Sequence, residues 1–149
     1  MEVSTNLGGG KEWIEVGDVT DCFRVASNEL STPKILICPM DASHTCANNF
    51  GDDFNNSHIS YFLGADVTNG ENHGMILDGD DNFELNGIPV RSGLLDAFSG
   101  TSITWSRNRH KYYCGNLGLA DGSVFEESSN GLQSILQQTS LATNRLAIP

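Results

Sequence analysis

His110-Lys111-Tyr112-Tyr113-Cys114-Gly115-Asn116-Leu117-Gly118-Leu119-Ala120-Asp121-Gly122-Ser123-Val124 is the stretch whose reading decides the fold. Asp121-Gly122 stands between two runs of alternating apolar character, the strongest short-range signal for a tight hairpin. A two-residue type I′ turn needs φ > 0 at both central positions, which Asp tolerates and Gly adopts freely. The pattern predicts a hairpin over 116–126 in which Phe125 lies across from Gly118 and covers its bare backbone.

Beyond the hairpin, Leu132, Ile135 and Leu136 recur at helical spacing from Ser129 and fade by Thr139. The closing Leu146-Ala147-Ile148-Pro149 is expected to lie against the domain. Upstream, strands are expected at Ser102 to Trp105, His73 to Leu77 and Ile59 to Leu63. Between 78 and 100, Gly79, Gly87, Pro89, Gly93 and Gly100 leave room only for short elements. Residues 41–57 are polar and rich in Asn, Asp and Gly, so a long surface loop is predicted there. Ile35-Leu36-Ile37 reads as a strand buried on both faces and ended by Cys38-Pro39. Val19, Phe23, Ala26 and Leu30 predict one face of a helix capped by Asp18 or Thr20 and stopped by Ser31-Thr32-Pro33. Trp13, Ile14 and Val16 suggest a brief strand, and residues 1–11 a flexible lead-in jointed at Gly8-Gly9-Gly10. Together these elements make residues 1–149 one α+β domain, an antiparallel sheet with helices packed on one side.

The chain has 149 residues, enough for a genuine core, and its apolar fraction of 38% with abundant Gly points to strands and loops. Nineteen acidic residues against eight basic ones give a formal charge of −11. Such a surface repels phosphate backbones and anionic lipid heads, which argues against nucleic acid or membrane as partners of the chain as it stands. No run is long enough to span a bilayer. Cys22, Cys38, Cys46 and Cys114 permit three full disulfide pairings, among them Cys38–Cys46 closing a small loop with Cys22–Cys114 joining distant segments. Four buried thiols are the alternative.

Several islands, in order, resemble the bacterial prepilin-type processing-associated H-X9-DG domain family. They are Val3-Ser4-Thr5-Asn6 with Gly8-Gly9, Ser27 to Pro39, Ser60 to Gly64, Ile76 to Asp80, Gly115 to Val124 and Asn144 to Pro149. The motif residues carried over are His110, Asp121 and Gly122, although ten residues rather than nine separate His110 from Asp121. Where relatives tend to read Gly-Asp-Arg-Asn, this chain has Gly79-Asp80-Asp81-Asn82. The resemblance implies a pilin or pseudopilin-like head, a non-enzymatic part of a type IV pilus or type II secretion filament. It also implies an extracytoplasmic place, periplasmic or at the cell surface, with membrane anchoring before assembly. In that family a leader and an apolar N-terminal helix precede the head and mediate contact with other pilin-like subunits. The chain as it stands is expected to be the head without them.

The densest oxygen-ligand cluster is Asp78, Asp80, Asp81, Asn82 and Glu84, a candidate calcium loop. Its spacing begins like an EF-hand, but Phe83 takes the glycine position and Pro89 the glutamate position. Asp52, Asp53, Asn55 and Asn56 form a weaker cluster, and Asn55-Asn56-Ser57 matches a glycosylation triplet. His110 has no nucleophile placed beside it by any known motif, so it is expected to hydrogen-bond backbone near the hairpin. Arg107, Arg109 and Lys111 around it form a basic patch suited to an acidic patch on a neighbouring subunit. Cys46 with His44, His58 or His73 lacks the short spacing of a zinc knuckle. Trp13, Trp105, Tyr112 and Tyr113 are read as core aromatics before a sugar-binding face. Two rival functions remain: a surface module binding glycan or protein through the 41–57 and 64–72 loops, and a hydrolase using His110 with Asp121.

Overall fold

The computed structural model describes residues 3–68, 74–98 and 100–149. Its centre is a six-stranded, wholly antiparallel sheet of β1 (Tyr61–Gly64), β2 (Ile76–Asp80), β5 (Gly93–Phe98), β7 (Cys114–Leu119), β8 (Val124–Ser128) and β9 (Thr143–Ile148). The spatial order is β5-β9-β1-β2-β7-β8. A second antiparallel sheet, ordered β4-β3-β6, is built from β3 (Phe83–Leu85), β4 (Ile88–Pro89) and β6 (Ile103–Trp105). Helices α1 (Lys11–Glu15), α2 (Val19–Val25) and α3 (Ser27–Leu30) precede the sheets, and α4 (Ser129–Gln138) follows β8. The α+β class with antiparallel pairing is as the sequence predicts.

Strand alternation makes the large sheet the middle of three layers. Phe62, Leu117, Leu146 and Ile148 face the small sheet and α4, joining Phe83, Trp105, Leu132 and Leu136 in one core. Leu63 and Ala147 face the other way, onto Ile14, Val19, Cys22, Leu36 and Phe54. Helices therefore flank both faces instead of one. The first core carries an aromatic stack, with Phe83 lying 5.0 Å from Phe62 and 4.7 Å from Trp105, ring centre to centre.

The hairpin forms at the expected place with a different turn. Gly122 N–H bonds the Leu119 carbonyl at 2.9 Å, and Gly122 has φ 84° while Asp121 keeps a negative φ. Three residues, 120–122, thus form the loop, and its left-handed step falls on the glycine alone. One residue more in the loop shifts the register, so Gly118 pairs with Val124, and Phe125 pairs with Leu117. Gly118 is covered by Asp78 from β2, whose Oδ1 would lie 2.2 Å from a Cβ there.

Four further expectations change. Ile35-Leu36-Ile37 is no strand: Pro33–Leu36 is a 3-10 turn started by Thr32, whose hydroxyl accepts from Lys34 N–H, and Ile35 is exposed. Trp13 and Ile14 lie in α1, where only Ile14 is buried. The predicted 19–30 helix breaks at Ala26 into α2 and α3, with Asp18 as its cap. The chain end is more than a flap, since β9 sits between β5 and β1. In the lead-in, Glu12 accepts from Ser4 Oγ and Thr5 N–H, and Lys11 N–H bonds Val3 O, so residues 3–11 fold onto α1. The 41–57 segment is largely irregular, but Ala47 and Phe54 anchor it in the core. His73 and residues 69–72 of the 64–72 loop lie outside the described residues.

Candidate functional site

Three short stretches far apart in sequence meet at the end of β2, and each brings two adjoining polar groups. The first is Cys38 with Asp41, the ends of a turn in which Asp41 N–H bonds Cys38 O at 2.9 Å across Pro39. The second is Asp80-Asp81, and the third Arg109-His110 in the connection from β6 to β7. One member of each pair enters one cluster, and the other member enters a second cluster beside it.

The first cluster is Cys38, Asp80 and His110. The Asp80 side chain is fully buried, and its Oδ2 accepts from the backbone N–H and the Nδ2 of Asn116 at 2.7 and 2.9 Å. His110 Nε2 lies 3.1 Å from the same oxygen and 3.7 Å from Cys38 Sγ. Asp80 Oδ1 is buried and finds no hydrogen-bond partner among the described residues. Thiol, imidazole nitrogen and carboxylate oxygen all fall within 4.8 Å of one another. His110 therefore contacts side chains from two other segments, correcting the expectation of a backbone bond near the hairpin.

The second cluster centres on Arg109, whose guanidinium is almost fully buried. It pairs with Asp41 and Asp81 and donates from Nη1 to Ser60 O at 2.7 Å. Burial pushes Asp41 up, but hydrogen bonds from Ser43, Ser60 and His44 outweigh it and hold the carboxyl below the ordinary carboxylate range. For Asp81 burial outweighs what Arg109 returns, and its affinity for a proton rises. Arg109 is thus no part of a surface patch: its acidic partners lie within the same chain. A cleft lined by Ala42, His44, Phe83, Pro89, Val90 and Asn108 opens over this cluster, with a volume of about 440 Å³.

The calcium candidates are not brought together. Asp78 packs on Gly118, Asp80 meets Asn116 and His110, Asp81 meets Arg109, and Asn82 Nδ2 donates to Ser106 O at 3.2 Å. The strand through Asp80 puts Asp78 and Asp80 on one face, while Asp81 and Asn82 are engaged by Arg109 and Ser106, so the set does not converge as a coordination loop does. Of the weaker cluster, Asn55 caps a 3-10 turn and Asn56 bonds Thr20 and Ser92. All four cysteines are free thiols, which replaces the proposed Cys38–Cys46 and Cys22–Cys114 bridges. Cys22, on the buried face of α2, has its thiol pushed up to about 12 by burial, with Asp18 and Asp21 adding to the effect. Asp121 accepts from the Ser123 N–H and hydroxyl, shaping the hairpin loop with Gly122, about the turn and not the site.

In a relay that activates a cysteine, the carboxylate holds the ring nitrogen opposite the one that takes the thiol proton. Here Asp80 and Cys38 share Nε2, which is the arrangement of a ligand set. The sequence does not show Cys38, Asp41 and Arg109 as partners because nothing local pairs them. The usable signal is that each polar pair sits in or beside a stretch already singled out. No family profile, curated protein or solved structure matches this chain. Fold and site together define an antiparallel α+β domain stapled by two buried polar clusters.

Proposed function

We propose that this chain is the extracytoplasmic head of a pilin-like filament subunit, of the type IV pilus or type II secretion pseudopilin kind, and that its role is structural. The observation that supports this reading is where the resembling islands lie. Ser60 to Gly64, Ile76 to Asp80, Gly115 to Val124 and Asn144 to Pro149 supply β1, β2, β7 and β9, the four contiguous inner strands. Ser27 to Pro39 carries Cys38 onto Asp80, and His110 closes the same point. Residues that mark the resemblance are thus the ones that hold the sheet and its connections together. A polar head of charge −11 remains outside while an apolar stalk would pack within a filament.

In the encoding reading frame, a prepilin-peptidase site followed by about 20 apolar residues is expected upstream of Val3. Co-expression of that full-length precursor with a prepilin peptidase should shorten it by the leader. A frame that continues upstream into an unrelated polar domain, or a precursor the peptidase leaves intact, would overturn the reading. Under the same reading His110→Ala lowers the melting temperature. An unchanged melting temperature with loss of a hydrolytic activity would favour an enzyme instead.

A further inference from the structure

We propose that Cys38, Asp80 and His110 form a binding site for a divalent transition-metal ion, zinc(II) above all. This stands independently of the filament reading. Zinc bonds of 2.0–2.3 Å to nitrogen, oxygen and sulfur give tetrahedral edges of about 3.6 Å for S···N and about 3.3 Å for N···O. The observed separations are 3.7 Å from Cys38 Sγ to His110 Nε2 and 3.1 Å from His110 Nε2 to Asp80 Oδ2. Three ligands on one face of a tetrahedron leave the fourth position for water or a small donor.

Two further observations point to a cation. Asp80 Oδ1 is buried with no donor among the described residues, so the carboxylate lacks compensating charge that a cation held beside Oδ2 would supply. The neighbouring buried cation is committed elsewhere, since Arg109 pairs with Asp41 and Asp81. The supporting groups suit a metal centre as well, because both Asn116 donors hold the carboxylate in place through Oδ2. Thiolate and imidazole select zinc over calcium, whose sites are built of oxygen alone. A cleft of about 250 Å³, lined by Leu30, Leu36, Tyr61, Asp78 and Asn116, lies on the Asp80 side of the cluster. On binding, the Cys38 thiol gives its proton to solvent, and His110 coordinates as neutral imidazole with its hydrogen on Nδ1. The ion would then join the 38–41 turn, the end of β2 and the 106–113 connection.

The test is titration of the reduced chain with Zn²⁺ against a chromophoric chelator, and with Co²⁺ followed by absorption. One equivalent per chain and a sulfur-to-cobalt charge-transfer band are expected. Cys38→Ser and His110→Gln should each weaken binding by more than about tenfold, while Cys46→Ser and His58→Gln leave it unchanged. Far-UV circular dichroism accompanies each variant. Should either ligand variant fail to fold, alkylation of the unaltered chain decides: zinc should slow labelling of Cys38 and not of Cys46. Absence of stoichiometric binding, a cobalt spectrum that survives Cys38→Ser, or labelling of Cys38 indifferent to zinc would each overturn the proposal.

Discussion

Arg109 occupies the position where one side chain decides most, because a single guanidinium answers two buried carboxylates and one carbonyl. Removing one partner of such a pair leaves uncompensated charge in a low-dielectric interior, a loss of about 3–5 kcal/mol. Arg109→Leu is accordingly expected to lower the urea midpoint by that amount of stability, and a loss below about 1 kcal/mol would contradict the account. Asp78 runs the opposite way. Burial raises its proton affinity above the ordinary 3.8, and neighbouring Asp80 adds to the rise. A carboxyl raised in the folded state costs nothing below the unfolded value, where both states are protonated, and destabilises as pH climbs through the folded value. Asp78→Asn is therefore expected to stabilise the protein at neutral pH, with the gain vanishing below about pH 4. Equal effects at both pH values in a thermal melt would show the charge to be irrelevant. At this scale the sequence displayed the right residues and hid their partners. Arg109 looks like a surface cation because no sequence pattern reports an aspartate 68 positions away.

The β7–β8 hairpin shows what an element can and cannot announce. Asp121-Gly122 marks where the chain turns, since backbone chirality makes glycine the cheap left-handed residue. Whether the loop holds two residues or three depends on which register the neighbouring strand rewards. Here β2 decides, by placing Asp78 over Gly118. Gly118→Ala brings a methyl against that carboxylate, which must swing aside, and should destabilise modestly, while Gly118→Ala combined with Asp78→Ala should recover part of the loss. Strict additivity in this double-mutant cycle would mean the two do not touch. The α4 helix was legible in full, because Ser128 caps it and Leu132 and Leu136 repeat on its buried face. Ile35-Leu36-Ile37 reads as a strand because so short an apolar run carries no period, yet Ile35 and Leu36 complete the 3-10 turn begun at Pro33 and only Ile37 is extended.

Seen whole, the molecule depends on its last strand. β9 lies between β5 and β1 and joins them, and its side chains feed both cores, Leu146 and Ile148 on one face and Ala147 on the other. Deleting residues 143–149 should abolish cooperative urea unfolding and near-UV circular dichroism. A truncated chain that still unfolds in one sharp transition would show that the sheet does not need this inner strand. Pairing the chain's end with strands some 50 and 80 positions earlier is a matter of topology, which is why its tail reads only as an apolar flap.

The amino-acid order alone determined the class: apolar alternation, one capped helical repeat and a glycine bend dictate antiparallel strands with helices, because these signals act over a few residues. It also dictated the acidic exterior, which is a matter of composition. Tertiary structure alone decided the hairpin register, the inner place of β9, and the meeting of Cys38 with Asp80 and His110 and of Asp41 with Arg109. Those depend on which distant segments share a buried volume, where desolvation makes unpaired charge intolerable and forces partners together that no local spacing connects.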